Sequence, residues 1–176
     1  RWPGGVREDV VVATRADGHG EAFYQKRAPS STPDWVQTTT ITFPSGRTAV
    51  EVAPADLASI IWMVNLGTLR FHPWPVRAAD PDAADQLRID LDPQPGSDFP
   101  MAVTAALELR EVLAEAGLTG FPKTSGGRGL HVFAPIRPSD FIDARHAAIA
   151  VGRELARRRP EQVTVNWWKE ERGERI

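Results

Sequence analysis

The sequence predicts an α+β fold. Segments with the period-two apolar alternation of strands outnumber segments with a helical period. Short turns rich in Gly, Pro and Ser join several of these strands directly as hairpins, whereas long amphipathic helices separate others. Strict alternation of one strand with one helix would instead favour a doubly wound parallel sheet. The mixture of hairpins and crossovers therefore favours α+β.

The expected strands share alternating or β-branched apolar residues and end at turn residues. The first hairpin turns at RADGHG and the second at PSG, and the clearest single strand is QLRIDLD. The full set covers residues 9–14, 21–27, 35–43, 47–53, 68–75, 86–92, 130–136 and 161–168.

Three helices are expected, each with a recognisable beginning or end. Asp56 lies early in the first and Gly67 follows it, while Ser97 or Asp98 caps the second and Gly117 ends it. The third helix is long and amphipathic. The three helices cover residues 54–67, 97–117 and 139–159.

Composition indicates an ordinary globular protein. Of the 176 residues, 41% are hydrophobic and 25% are charged, and there is no cysteine, which excludes disulfides and thiolate metal sites. The net charge of −2 gives no global support for nucleic-acid binding. No apolar run approaches the roughly 20 residues of a membrane-spanning helix.

Arginines gather toward the end of the third helix. Basic residues there are favoured by the helix dipole, so the cluster needs no partner to explain it. Contact with a DNA backbone is the alternative. The residues concerned are Arg153, Arg157, Arg158 and Arg159.

Two carboxylates stand on one face of the clearest strand. In LRIDLDP, Leu87 and Leu91 alternate with Asp90 and Asp92, so the acids share the opposite face, roughly 7 Å apart. Ionised carboxylates this close repel unless a cation lies between them, and Mg²⁺ or Mn²⁺ prefers such oxygen ligands. A solvated strand edge protected by acids is the alternative interpretation.

A glycine-rich run, KTSGGRGLH, precedes the expected strand 130–136. Three glycines within four positions indicate a backbone that approaches something closely. Ser125 and the amides of Gly126, Gly127 and Gly129 form a possible phosphate cradle, with His131 as a further polar contact. The lysine and serine or threonine that end a Walker loop are missing, which excludes that class of ATPase. A long hairpin loop is the alternative.

The stretch FHPWP places His72 and Trp74 on the same side of an extended strand. A histidine among apolar neighbours is commonly structural. The functional alternative has His72 contacting a nucleotide or DNA strand while Trp74 stacks on it or supports the site.

In combination, these stretches resemble a known family. FHPWP, the Asp-x-Asp of RIDLDP and the Ser-Gly-rich-His run follow one another as in the polymerase domain of bacterial ATP-dependent DNA ligase D, part of the archaeo-eukaryotic primase superfamily. EAFYQKRAP and WWKEERGERI are similar to other parts of that family. The resemblance implies a primase-type fold whose RRM-like, mixed or antiparallel catalytic sheet is flanked by helices.

The resemblance also implies site roles. Asp90 and Asp92 match the family's ligands for Mn²⁺ or Mg²⁺ in a two-metal site, and His72 matches an active-site histidine. Ser125 and His131 match contacts to the phosphates of the incoming nucleotide. The implied activity is template-directed, often ribonucleotide-preferring nucleotidyl transfer to a DNA primer in bacterial non-homologous end joining or gap repair.

Further expectations come from the same resemblance. Residues 1–176 would be one primase-polymerase domain fragment, truncated at both ends, without the N-terminal segment and the strand that carries a third metal-binding aspartate. Expected partners are DNA primer-templates or ends, nucleoside triphosphates, and possible contacts with Ku and a ligase; the expected location is the bacterial cytoplasm, at the nucleoid. A non-catalytic DNA-end-binding module and a sugar-nucleotide transferase are the alternatives.

Overall fold

The protein is described by a computed structural model that covers residues 9–16, 22–43 and 45–176. The chain divides into two compact units, residues 1–84 and 85–176. Helices and antiparallel strand pairs occur together, which confirms the α+β prediction. Residues 17–21, within and just after the expected RADGHG turn, and Pro44 of the PSG turn lie outside the described residues.

The first unit is a set of antiparallel strands with one helix. Its strand order is β3-β4-β1-β5-β6, and β2 also pairs with β1. The register places Thr40 opposite Val50 and Val76 opposite Ala84. The elements are β1 (Asp9–Ala16), β2 (Ala22–Gln25), β3 (Thr38–Thr42), β4 (Thr48–Val52), α1 (Leu57–Asn65), β5 (Thr68–Arg77) and β6 (Asp80–Leu91), whose last part belongs to the second unit.

Helix α1 lies inside the predicted range 54–67 and is shorter, beginning at Leu57 after the N-cap Asp56. The carboxylate of Asp56 accepts a hydrogen bond from the backbone N–H of Ser59 at 2.7 Å, which satisfies one of the free amides of the first turn. Gly67 stops the helix with a φ of +84°, a left-handed conformation that residues with a Cβ rarely adopt. Met63 on its inner face packs with Val36 and Val52.

The second unit places two long helices with three strands. The strand order is β6-β8-β7, and β7 and β8 form an antiparallel hairpin around the glycine-rich run. Buried residues of α2 recur with the helical period, with Leu109 and Leu113 fully buried. The elements after β6 are α2 (Phe99–Glu115), β7 (Phe121–Thr124), β8 (Leu130–Ser139), α3 (Phe141–Arg158) and a short 3-10 helix (Lys169–Glu171).

Aspartates cap both long helices. Asp98, not Ser97, caps α2 by accepting from the N–H of Met101 at 3.0 Å. Asp140 accepts from Ile142 and Asp143 at the start of α3. Such caps bring an acceptor to the free N–H groups of the first turn, so each boundary is fixed locally.

The arginines at the end of α3 are paired with glutamates. The guanidinium of Arg158, only 20% exposed, bonds Glu154 on its own helix at 2.8 Å and Glu115 on α2 at 3.0 Å. It also approaches Glu108 at 3.5 Å. We call Arg158 with these three glutamates the α2–α3 clasp. Its neighbours are paired too, Arg157 with Glu154 and Arg159 with Glu108.

The prediction of a strand over 161–168 is wrong. Thr164 donates to the carbonyl of Ile176 at 2.9 Å, but the pairing does not continue as a ladder. The Thr164 hydroxyl instead accepts from the N–H of Asn166, and Arg172 binds the carbonyls of Asn166 and Trp167. Side chains therefore occupy backbone groups that a strand would use. Strand β7 was not predicted, because FPKT is short and all four of its residues are exposed.

Within the described residues, the structure contains no helix that is both long enough and apolar enough to cross a membrane.

Replacing Arg158 with Gln should lower the melting temperature at pH 7, because it removes the cation that joins α3 to α2. Arg157 and Arg158 hold the pKa of Glu154 at about 2, below its ordinary 4.5. This contribution to stability is complete above pH 4.5 and disappears as the pH falls toward 2. The difference between the two proteins should shrink over that interval in thermal melts. Arg153→Gln, an exposed change on the same helix, is the control, and an equal loss there would contradict the role of the clasp.

Candidate functional site

The two acids stand where β6 ends. Leu87 and Leu91 are buried, at 2% and 3% exposure, whereas Asp90 and Asp92 project from the opposite face into solvent. The alternation expected from the sequence is therefore present. It places two carboxylates side by side on an exposed surface.

The environment of Asp90 opposes its ionisation. Partial desolvation is the largest cause that raises the pKa of Asp90, although 67% of its side chain is exposed. The negative charge of Asp92 raises it further, while His131 and Arg172 act in the opposite direction. A cation placed against the two carboxylates would relieve this repulsion.

Asp92 is held by a buried glutamine that the sequence analysis did not single out. The side-chain amide of Gln94 donates to the Asp92 carbonyl at 2.9 Å and to its carboxylate at 3.3 Å. Gln94 itself is buried, and its backbone N–H donates to the carbonyl of Arg175. The only sequence signal was a polar residue within the turn DPQPG. Gln94 thus orients one of the two acids.

The hydroxyl of Ser125 organises the glycine-rich run. Its Oγ accepts hydrogen bonds from the N–H groups of Gly127 and Gly129, both at 3.2 Å, and the Ser125 N–H donates to the Gly129 carbonyl at 3.0 Å. Gly126 has a φ of +82°, which permits the reversal. Two of the expected phosphate-binding amides are thus directed to Ser125.

Gly129 lies against the end of β6. A Cβ at this position would stand 2.1 Å from the Leu91 carbonyl oxygen and 3.0 Å from Cδ of Pro93. Only glycine fits so close to another backbone. Because Leu91 separates Asp90 from Asp92, this contact places the loop next to both acids.

His131 also faces the acids. Its Nε2 lies 3.6 Å from Oδ1 of Asp90, too far for a hydrogen bond but within ion-pair range when the imidazole is protonated. The ring makes an edge contact with Phe133, and the guanidinium of Arg88 lies 5.4 Å from the centre of the Phe133 ring. Asp90, Asp92, Ser125 and His131 are therefore neighbours in the second unit.

His72 belongs to the first unit. It lies on β5 with its ring 5.3 Å from that of Tyr24, and together with Trp74 it lines a cavity of about 580 Å³. The expectation that His72 and Trp74 share a side of the strand is met. The cavity brings them together with Lys26 and Arg47, which no local pattern linked to them.

The donor set at the end of β6 suits a hard divalent cation in part. Asp90 and Asp92 supply carboxylate oxygens, the ligands that Mg²⁺ and Mn²⁺ prefer, and such ions commonly combine one or two carboxylates with substrate phosphates and water. In the part of the chain that the structure describes, there is no group of three or more His, Asp or Glu side chains arranged to hold a metal. The two acids would therefore hold a cation with help from other ligands.

The family model "LigD, primase-polymerase domain" matches residues 1–176. The chain belongs to this family. Membership in the LigD primase-polymerase family confirms the resemblance that the sequence motifs indicated.

Curated relatives and a solved structure agree with this membership. The chain is 36% identical over 135 residues to the bifunctional non-homologous end joining protein LigD of Bacillus subtilis, covering 77% of this chain and 21% of that protein. It is 29% identical to the multifunctional LigD of Mycolicibacterium smegmatis, covering 100% of this chain and 22% of that protein. The chain thus spans about a fifth of these relatives.

The fold is similar to that of the polymerase domain from Mycobacterium tuberculosis Ligase D, solved in complex with DNA. The TM-score is 0.88 at 27% identity, and the match covers 97% of this chain and 63% of that one. The similarity confirms the fold expected for a LigD primase-polymerase domain.

Gly129→Ala should destabilise the protein by about 1–3 kcal/mol, since the added methyl group overlaps the Leu91 carbonyl and one backbone must move. Gly127→Ala is a matched control, because a Cβ there meets only the Ser125 hydroxyl at an ordinary 3.6 Å. Chemical denaturation measures both. Equal free energies of unfolding for the two variants would show that the close approach of Gly129 to Leu91 does not exclude a side chain at position 129.

Proposed function

We propose that this domain adds nucleotides to a DNA primer under the direction of a template, often preferring ribonucleotides, in bacterial non-homologous end joining or gap repair. The observation that carries the proposal is that the strand end with Asp90 and Asp92 lies next to the Ser125–His131 loop. The contact of Gly129 with Leu91 fixes this arrangement. Family membership supports it, because the relatives are end-joining proteins.

The acids and the glycine-rich loop would have different roles in the reaction. Asp90 and Asp92 would hold Mn²⁺ or Mg²⁺ in a two-metal site. A bound divalent ion lowers the pKa of an attacking hydroxyl and neutralises phosphate charge. Ser125 and His131 would contact the phosphates of the nucleotide and hold them in line, which lowers the entropic part of the barrier. His72, on β5 of the first unit, would contact a nucleotide or a DNA strand.

The glycine amides can take part only if the loop changes its bonding. Gly127 and Gly129 donate to Ser125, so a phosphate would have to replace the serine hydroxyl as their acceptor. Gly126, with its left-handed backbone, provides the reversal that such a nest of amides needs. Ser125 would then act as a placeholder that keeps the loop ordered before the nucleotide arrives.

The proposed partners are DNA primer-templates or DNA ends and nucleoside triphosphates, with Ku and a ligase as partners of the larger protein. DNA is supported by the solved relative, which was bound to DNA. A non-catalytic DNA-end-binding module is the second candidate. It is favoured by the finding that the described residues place only two carboxylates, not three metal-ligating side chains, at the site.

Asp90→Asn and Asp92→Asn should each reduce primer extension by roughly 100-fold or more, because a carboxylate that holds the cation contributes several kcal/mol to the transition state. The assay uses gapped 5′-phosphorylated DNA, ribonucleoside triphosphates and Mn²⁺. Asp82→Asn, an exposed change near the start of β6, should extend normally.

The same variants separate metal binding from catalysis. Mn²⁺ should raise the melting temperature of the wild type and of Asp82→Asn, and not that of Asp90→Asn. The experiment is run on the 176-residue chain and on a version lengthened at its C-terminus. If both versions bind DNA but neither extends a primer, the binding-module function replaces the polymerase.

A further inference from the structure

Strands β2, β4 and β5 of the first unit, together with residues just beyond their ends and the end of β3, line one cavity of about 580 Å³. Ala49 and Glu51 alternate along β4, and His72 and Trp74 alternate along β5, so each pair lies on one face of its strand. The volume falls within the usual range for small-molecule sites. Cationic, aromatic and acidic groups meet here: Lys26, Arg27 and Arg47, then Tyr24, Phe43, His72 and Trp74, with Ala49 and Glu51.

Glu51 is the unusual member of this set. It is only 2% exposed, and its Oε2 has no hydrogen-bond partner among the described residues. No ion pair within the described part of the chain includes it, although three cationic side chains line the same cavity. A buried carboxyl in this condition is rare, because buried polar atoms almost always have partners.

The burial of Glu51 is unfavourable in the protein alone. Desolvation raises the pKa of Glu51, which means that the folded environment disfavours its charged form. Alternation along β4 requires an inward side chain here, between buried Ala49 and Ala53, and an apolar residue would satisfy that position at lower free energy. A carboxyl at such a position needs a reason beyond packing.

We propose that Glu51 is a specificity-determining residue, whose buried oxygen accepts a hydrogen bond from an amino or hydroxyl group of a nucleotide bound in this cavity. The other lining groups suit the rest of a nucleotide. Lys26 and Arg47 are exposed cations that can contact a phosphate, and the ring of Trp74 can contact a base. This inference rests on the proposed function, because it assigns the cavity a ligand of the class that a polymerase handles.

Two sources supply the same chemistry. One is a free ribonucleoside triphosphate and the other is a nucleotide unit within single-stranded DNA. Both bring a phosphate, a base and at least one N–H or O–H donor. The charge of the lining groups suits either source, so the binding assay has one arm for each.

The test compares Glu51→Leu and Glu51→Gln with wild type in binding and in stability. Binding is measured with a fluorescein-labelled single-stranded DNA oligonucleotide and, separately, with ATP and CTP in isothermal titration. Glu51→Leu should weaken binding in one arm by about tenfold or more, because the ligand's donor then lacks an acceptor. The same variant should keep or raise the melting temperature, since an unpaired buried carboxyl is gone.

Loss of binding together with unchanged or increased stability is a signature that a purely structural role would not produce. Asp34→Leu, which removes an exposed acid of the first unit, is the control and should bind as wild type does. Glu51→Gln keeps a carbonyl acceptor and should therefore retain most of the binding. If Glu51→Leu does not fold, Glu51→Met, which is similar in length and has no comparable acceptor, is used in its place and should weaken binding by the same tenfold or so. Unchanged binding in both arms by a folded Leu or Met variant overturns the inference.

The outcome is distinguishable from failure of the proposed function, because these assays require no catalysis. If the wild type extends a primer and the Glu51 variants bind normally, the proposed polymerase activity is supported and only the role of Glu51 is contradicted. If Glu51→Leu weakens binding but the wild-type chain never extends a primer, the nucleotide site at Glu51 is supported and the proposed polymerase activity is contradicted.

Discussion

The contact between Gly129 and the backbone of Leu91 determines the geometry of the candidate site. The loop can lie against the end of β6 only because no Cβ intervenes, since such an atom would stand 2.1 Å from the Leu91 carbonyl. From this contact follow the position of His131, at the start of β8, and its 3.6 Å approach to Asp90. A site built on strand ends is rigid, and rigid placement is what in-line transfer requires.

The acids and the loop lie next to each other and attract ions of opposite charge. The charge of Asp92 helps to raise the pKa of Asp90, and a cation would relieve that repulsion, whereas the amides of Gly127 and Gly129 are donors that favour an anion. Each group is partly satisfied inside the protein, the acids by Gln94 and His131 and the amides by Ser125. A phosphate that carries a divalent cation satisfies both at once, which is why the proposed substrate is a metal-bound nucleotide.

Sequence patterns predicted the structure correctly where the role of a residue depends on its neighbours along the chain. The alternation around Asp90, the place of Asp56 early in the first helix and the candidate cap Asp98 were predicted because strand period and helix-start residues are local properties. Segment 161–168 was mistaken for a strand because its apolar alternation is genuine, while the side-chain bonds of Arg172 that occupy its carbonyls arise from the following turn. The cavity around Glu51 depends on three strands that pair through β1, so no local window contained it.

Charge distribution, more than net charge, decides where a polyanion can bind. With a formal charge of −2, the chain as a whole does not attract DNA, so any affinity must be local. Arg158 of the α2–α3 clasp and its neighbours Arg157 and Arg159 are all paired with glutamates, which neutralise their charge locally. In the first unit, by contrast, Lys26, Arg27 and Arg47 line a cavity in which Glu51 is the one acid among the described lining residues, and burial raises the pKa of Glu51. The local positive potential of that cavity, beside aromatic rings, therefore makes it a better place for a nucleotide than the arginine-rich end of α3.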